Sequence, residues 1–216
     1  MSEDKLTWHN EILPSKAAEV LKELQQSINL AEFYLAGETG LALILGHRHS
    51  RDFDFFNSKL FDEEILIQKL NGLNNLKIIS KAESTLHINL SELKVSFLGY
   101  NYPLLFQTRK YKTDNRITVN VADERDIACM KISAISSRGT KRDFIDLFVI
   151  AQKYSLNELL LLFSKKYSQT PYNDIHLLKS LTYFDDAESE PMADMLSPLS
   201  WEKVKHFFIS KSAKLL

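Results

Sequence analysis

The chain has 216 residues, which is enough for one domain of ordinary size or two small ones, and enough to bury a hydrophobic core. Its residues are 44% hydrophobic and 25% charged, so a mostly disordered or fibrous chain is excluded. Lysine and arginine number 27 against 28 acidic residues, a formal net charge of -1, so any contact with nucleic acid must be local.

The single cysteine, Cys129, excludes an internal disulfide and a cysteine-rich zinc site, and it fits a reducing compartment. The N-terminal residues are charged and polar, with no apolar stretch of signal-peptide length behind them. No apolar run approaches the roughly 20 residues that a membrane-spanning helix needs. We therefore expect a cytoplasmic protein with no membrane partner.

The first elements alternate between helix and strand patterns. Helical spacing predicts an opening helix over about 14–29, and residues 32–36 predict a buried strand. After Gly37, the apolar run 41–45 predicts a short helix that ends at Gly46 as its C-cap.

An acidic strand comes next. Residues 52–56 alternate between charged and aromatic side chains, which predicts a strand with Asp52 and Asp54 on one face. A helix is predicted over 61–70. Three strands, expected to be antiparallel, are predicted after it at 76–80, 85–90 and 93–98.

From about residue 123 onward the apolar residues recur at helical spacing. The predicted fold class is α+β, with a mixed β-sheet and flanking helices over 1–122 and a helical lobe over 123–216. We expect the two parts to form one compact unit with a soft boundary.

The Asp52 and Asp54 pair is the sharpest chemical feature of the sequence. Two carboxylates on one strand face repel each other unless a cation lies between them, and Mg²⁺ or Mn²⁺ takes oxygen ligands of this kind. Asp-x-Asp alone is a weak signal because it occurs on many exposed strands. Upstream, however, Gly37 and Thr39 stand at a predicted helix start, where free N–H groups can hold a phosphate.

Two segments carry a resemblance to a known family. Residues 34–43 together with 47–56 resemble the AbiEii/AbiGii toxin family of nucleotidyltransferases, from type IV toxin–antitoxin systems. Residues 126–134, leading into 138–147, are similar to the second signature of that family: Lys, a small residue, Arg, then Arg-Asp-x-x-Asp. The resemblance spans about residues 31–151.

The resemblance implies a nucleotidyltransferase fold and the transfer of a nucleotidyl group from a nucleoside triphosphate to a hydroxyl acceptor. Members serve as toxins in bacterial toxin–antitoxin and phage-defence operons, and some add nucleotides to the 3′ end of tRNA. The implied partners are therefore a nucleoside triphosphate, an RNA or tRNA acceptor and a separate antitoxin chain.

The resemblance also implies roles for individual residues. Asp52 and Asp54 would bind the divalent metal, Lys131 would contact nucleotide phosphates, and Asp143 would be a further active-site acid. Around them, Gly37 and Thr39 would hold the phosphate tail, while Ser50 and Arg48 would brace the metal strand and belong to the nucleotide-binding set.

Lys131 and Arg138 are seven residues apart and therefore share one helix face before Gly139. Such a pair of cations suits a triphosphate. The alternative for Lys131 is a helix-surface ammonium paired to Asp126 or Asp143.

Two positions depart from the family pattern. Glu38 stands where the family has a small residue; it would repel a triphosphate unless it turns away or binds metal, or it is a plain N-terminal helix acid. Ser96 stands where the third carboxylate is expected, and Glu92 lies four residues back on the same face. The sequence thus leaves two hypotheses: an active metal-dependent nucleotidyltransferase, or a degenerate fold that binds nucleotide, RNA or protein without turnover.

One basic stretch interleaves cations with aromatic residues. It is either a grip on a polynucleotide backbone or a solvated loop. Its residues are Phe106, Arg109, Lys110, Tyr111, Lys112 and Arg116.

Overall fold

The computed structural model describes residues 7–113 and 117–213. These residues form two compact units that meet in sequence between Asp123 and Glu124. The elements of the first unit are α1 (Ala17–Ser27), β1 (Tyr34–Leu35), α2 (Gly37–Leu45), β2 (Phe53–Asn57), α3 (Glu63–Leu70), β3 (Leu76–Ala82), β4 (Thr85–Leu90), β5 (Leu93–Gly99), β6 (Arg109–Lys112) and β7 (Thr118–Val121).

Within the described part of the first unit, the strands form one seven-stranded mixed sheet in the order β3-β4-β5-β2-β1-β7-β6. The run β3-β4-β5 is antiparallel, as predicted. At the centre of the sheet β2 is parallel to β5 and antiparallel to β1, and β1 is parallel to β7. The predicted α+β class is confirmed.

Local chemistry explains why helices α2 and α3 begin and end where they do. Helix α2 ends at Gly46, which adopts the left-handed conformation (φ 57°) that a glycine C-cap provides. Helix α3 begins after Asp62, whose carboxylate accepts hydrogen bonds from the backbone N–H groups of Glu64 and Ile65. Helix α3 lies within two residues of its predicted bounds, and α2 ends before Gly46 as predicted but begins at Gly37, ahead of the apolar run 41–45.

The core of the first unit lies on one face of the sheet, because the strand residues alternate between buried and half-buried positions. The rings of Phe55 and Phe97 are fully buried and stack with a centroid distance of 5.6 Å across β2 and β5. The opposite face of these strands carries the polar residues of the candidate site.

Two other predicted boundaries differ from the structure. The strand predicted over 32–36 is reduced to Tyr34–Leu35, because a 3-10 turn capped by Asn29 occupies Leu30–Glu32. The opening helix begins at Ala17 rather than near residue 14.

Residues 109–112 of the basic stretch form strand β6. The interpretation of this part as a solvated loop is therefore wrong. Strand β6 pairs with β7 at the sheet edge, where outward-facing cations are common. Tyr111 is buried and donates a hydrogen bond to Asn10. Its ring is therefore not accessible for stacking on a nucleic-acid base. Arg116 lies outside the described residues.

The second unit is built mainly of helices joined by turns and irregular segments. Phe144 is buried there, with its ring in edge contact with Trp201 and Phe208. No helix in the described chain has the length and apolarity needed to cross a membrane. Its helices are α4 (Glu124–Ser137), α5 (Lys141–Ile150), α6 (Leu156–Lys166), α7 (Asp174–Ser180), α8 (Asp185–Glu188) and α9 (Trp201–Ser212).

Candidate active site

The N-terminus of helix α2 lies against strand β2. The backbone N–H of Ala36 donates to the carbonyl of Asp54 at 3.1 Å, and Gly37 follows with a positive φ of 60°. A Cβ atom built on Gly37 would lie 3.2 Å from Oδ2 of Asp54. Glycine therefore allows the N-terminal backbone of the helix to approach the carboxylate more closely than any other residue could.

Asp52 and Asp54 flank Phe53, whose ring is buried in the core. Both aspartates are half-buried. Alternation along the strand puts Asp54, and Asp52 just before the strand, on the side opposite the rings of Phe53 and Phe55. The two predicted metal ligands thus lie together at the head of α2.

Thr39 and Ser50 join helix α2 to the segment that precedes β2. Both are buried, and their hydroxyl oxygens are 2.6 Å apart. The Thr39 hydroxyl also donates to the backbone carbonyl of Asp52. The bond from Thr39 holds the backbone of Asp52, and Ser50 is bonded to Thr39. The bracing role of Ser50 and the phosphate contact of Thr39 both stay predictions.

Glu38 and Arg48 form an ion pair, with Nη2 of Arg48 3.1 Å from Oε2 of Glu38. The Arg48 side chain is only 3% exposed, whereas that of Glu38 is 22% exposed. Arg48 also donates to the carbonyl of His49 at 3.3 Å. The charge of Glu38 is therefore balanced by a buried guanidinium, a partner that the sequence analysis did not foresee.

Ser96 is the register partner of Asp54 across the parallel pair β2 and β5. It contacts His87 of strand β4, with 3.0 Å between its Oγ and Nδ1 of the histidine. The sequence analysis missed His87, because only the three-dimensional register brings it beside Ser96. Glu92 lies at the β4–β5 turn in an ion pair with Lys16, with 2.6 Å between the charged atoms.

The second signature forms a compact charge cluster inside the helical unit. Nζ of Lys131 lies 2.8 Å from Asp143 and 2.7 Å from Asp146, and all three side chains are buried. Thr140 donates to the second oxygen of Asp143 at 2.6 Å. The predicted partner Asp143 is present, and Asp146 is a further partner that sequence analysis missed.

Arg138 is the exposed cation of this signature. Its side chain is 70% exposed, and its Nε lies 3.8 Å from Oδ2 of Asp143. Within the helical unit, Arg138 lines a cavity of about 430 Å³ together with His176 and Lys179. Its planar guanidinium is a good donor to phosphate oxygens.

Among the described residues, no group of three or more His, Cys, Asp or Glu side chains could share a metal ion. Mg²⁺ is nevertheless commonly bound by one or two carboxylates together with substrate phosphates and water. The pair Asp52 and Asp54 fits that pattern, and the absence of a Cβ on Gly37 lets the backbone of α2 lie close to Oδ2 of Asp54.

In this mixed sheet, Asp54 on the central strand β2 and Asp52 just before it lie beside helix α2, which begins at Gly37. This arrangement defines the nucleotidyltransferase class of fold. The family described as "Nucleotidyl transferase AbiEii toxin, Type IV TA system" matches residues 19–209. The chain belongs to this family, as its resemblance implied.

One relative in sequence and one neighbour in structure illustrate the range of similarity. An uncharacterized protein of Aquifex aeolicus (strain VF5), aq_aa25, is 40% identical over 189 residues, which cover 86% of this chain and 88% of the relative. MenT4, a nucleotidyltransferase toxin from Mycobacterium tuberculosis H37Rv, has a similar structure with a TM-score of 0.56. It is 15% identical, over 94% of this chain and 87% of its own, so this likeness concerns the fold alone.

Proposed function

We propose that the protein is a metal-dependent enzyme that transfers a nucleotidyl group from a nucleoside triphosphate to a hydroxyl of RNA. We propose further that it acts as the toxin of a toxin–antitoxin pair. The observation that carries the proposal is the close approach of Gly37 to Asp54, since a Cβ there would lie 3.2 Å from the carboxylate. This approach brings the N-terminal N–H groups of α2 beside an acidic strand, as phosphate and metal binding require.

Asp52 and Asp54 would hold Mg²⁺ or Mn²⁺, which when bound neutralises phosphate charge and orients the triphosphate. The residues of the chain do the positioning. The backbone of Gly37 and the next residues of α2 would bind the phosphate tail. Thr39 and Ser50 would keep the Asp52 backbone fixed through their hydrogen bonds.

Arg138 and Lys131 are the cations proposed for the phosphates. The exposure of Arg138 supports a direct contact with phosphate. Lys131 is held between two carboxylates, so binding a phosphate would require it to share its three donors with Asp143 and Asp146. We propose that Asp143 acts by orienting this ammonium.

An RNA acceptor is supported by the polar face of strands β3, β4 and β5. Lys77, Asn89 and Lys94 stand in one register row across these strands, next to the row that contains Ser96 and Asp54. By that register, the described residues on the same face of β3 to β5 include no carboxylate. A polar, locally basic surface beside the aspartates suits a polyanionic acceptor.

The test is incubation of the purified protein with each α-labelled nucleoside triphosphate, Mg²⁺ and total tRNA. The expected result is label on RNA that depends on both the divalent cation and the aspartates. The control is the variant Asp185→Ala, which removes a carboxylate of the helical unit. Absence of label from the wild type with every nucleotide and with Mn²⁺ would contradict the proposal.

A second function is favoured by one observation, namely that Ser96 occupies the register position beside Asp54 where a third carboxylate is expected. In that case the fold would bind nucleotide, RNA or protein without turnover. Calorimetric binding of Mg²⁺ and nucleotide with no transfer of label would support this alternative.

A further inference from the structure

Asp54 on β2, Ser96 on β5 and His87 on β4 form one row across three adjacent strands. The register pairs Asp54 with Ser96 and Ser96 with His87. Paired residues on neighbouring strands project from the same face, and the strands are about 4.8 Å apart. All three are half-buried. The row therefore lies on the face of the sheet opposite the buried core, with its first member, Asp54, among the proposed metal ligands.

The side chains of Ser96 and His87 are hydrogen-bonded, with 3.0 Å between Oγ and Nδ1. A hydroxyl in contact with an imidazole is an arrangement that moves protons, because the imidazole can accept the proton that the hydroxyl releases. In this pair the hydroxyl is the nearer of the two groups to Asp54, and the imidazole lies one strand beyond it.

The proposed reaction needs a proton acceptor near Asp54, because the attacking hydroxyl must lose its proton. Glu92 is held in the ion pair with Lys16 at the β4–β5 turn. Among the described residues of strands β3, β4, β5 and β2 and of the segment just before β2, the other charged groups on this face are Asp52, Asp54, Lys94 and Lys77. Lys110 and Lys112 share the face on strand β6 at the far edge of the sheet. The lysines cannot serve while charged, and the aspartates are proposed to hold the metal.

We propose that Ser96 and His87 together take up the acceptor proton, in the place where a third carboxylate would otherwise act. This inference rests on the proposed transfer reaction. The acceptor oxygen forms a bond to the α-phosphorus, and the bond from that phosphorus to the bridging oxygen breaks. Pyrophosphate leaves with the electron pair of that bond. The acceptor proton passes to Oγ of Ser96 as the proton of Ser96 passes to Nδ1 of His87, which later returns it to water.

The test measures kcat and KM for label transfer at saturating Mg²⁺. His87→Ala is expected to lower kcat about 100-fold, the usual contribution of a general base, and to leave the KM for the nucleotide unchanged. Imidazole added to the buffer is expected to restore part of the lost rate. Thr85→Ala is the matched control, because Thr85 lies on the same strand and the same face.

The variant Ser96→Asp supplies the carboxylate directly and makes the histidine unnecessary. In the Ser96→Asp background, His87→Ala is expected to cost less than about threefold, since the two residues act as one coupled unit. Ser96→Ala alone is expected to lose about as much rate as His87→Ala. Circular dichroism and urea midpoints check that each variant is folded.

Three results would overturn the inference. The first is an unchanged kcat in the folded His87→Ala variant. The second is an equal loss from His87→Ala with and without Ser96→Asp, because a merely structural histidine would be needed in both backgrounds. The third is a wild type that transfers no label, which refutes the proposed function as well; the first two refute the proton transfer alone.

Discussion

Gly37 and Asp54 are so close that a Cβ built on the glycine would lie 3.2 Å from Oδ2 of the aspartate. The backbone of Gly37 is also left-handed, with φ at 60°. Two independent constraints therefore require glycine at this position, one from the conformation of the chain and one from the space that the carboxylate occupies.

Gly37→Ala should lower both stability and transfer activity. A non-glycine residue in the left-handed region costs about 1–2 kcal/mol, and the new methyl group must displace the Asp54 carboxylate. We expect the free energy of unfolding to fall by about that amount in urea titration, and transfer to fall at least about tenfold because a misplaced ligand weakens metal positioning.

The matched control is Gly72→Ala, because a Cβ built on Gly72 meets no atom within 4 Å and its φ is not positive. We expect this variant to retain full activity. Equal activity of Gly37→Ala and wild type would show that the close approach of Gly37 to Asp54 is not needed for the reaction.

Glu38→Gln should destabilise the protein rather than improve nucleotide binding. The Glu38 carboxylate is paired with Arg48 at 3.1 Å, and the arginine side chain is almost fully buried. Removing one partner of such a pair leaves the other charge poorly compensated, which costs about 1–3 kcal/mol. Thermal melting measures this loss. A gain of tenfold or more in nucleotide affinity by calorimetry would instead mean that Glu38 repels the triphosphate.

Lys166 and Asp126 form an ion pair in which both side chains are 0% exposed and the charged atoms are 2.8 Å apart. Replacing Lys166 with methionine should cost about 3–5 kcal/mol, because the Asp126 carboxylate then loses its ammonium in a buried setting. The double variant Lys166→Met/Asp126→Leu should recover most of that loss. Additive losses in urea unfolding would contradict this account of the pair.

Cys129 should be inert in the folded protein. Burial raises the pKa of its thiol to about 12 from an ordinary value near 9, so the reactive thiolate is almost absent at pH 8. Iodoacetamide should label the chain in guanidinium but not in native buffer, as mass spectrometry would reveal. Because the folded state holds the proton more tightly, this thiol's contribution to stability is full below about pH 9 and is lost toward pH 12. Rapid labelling of the native protein would refute the burial of this thiol.

Local sequence signals predicted the elements that local chemistry decides. Gly46 caps the end of helix α2 and Asp62 caps the start of helix α3, and glycine and aspartate are the residue types that these cap positions favour. Strand β2 was predictable from the alternation of aspartate and phenylalanine.

The features that the sequence did not predict depend on contacts between residues distant in the chain. Three of the four residues of strand β6 are cations, a composition that does not predict a strand. Only its pairing with β7 defines the strand. The partnership of Glu38 with Arg48 spans helix α2, and that of Ser96 with His87 depends on strand register. No spacing rule in the sequence predicts any of the three.

The most direct test of the central claim is label transfer by the variant Asp52→Ala/Asp54→Ala beside the wild type, with α-labelled nucleoside triphosphates, Mg²⁺ and tRNA. The account predicts label on RNA with the wild type and a loss of at least about a thousandfold with the folded double variant, because the phosphates would lose their metal ligands. Transfer at the wild-type rate by the double variant would contradict the account.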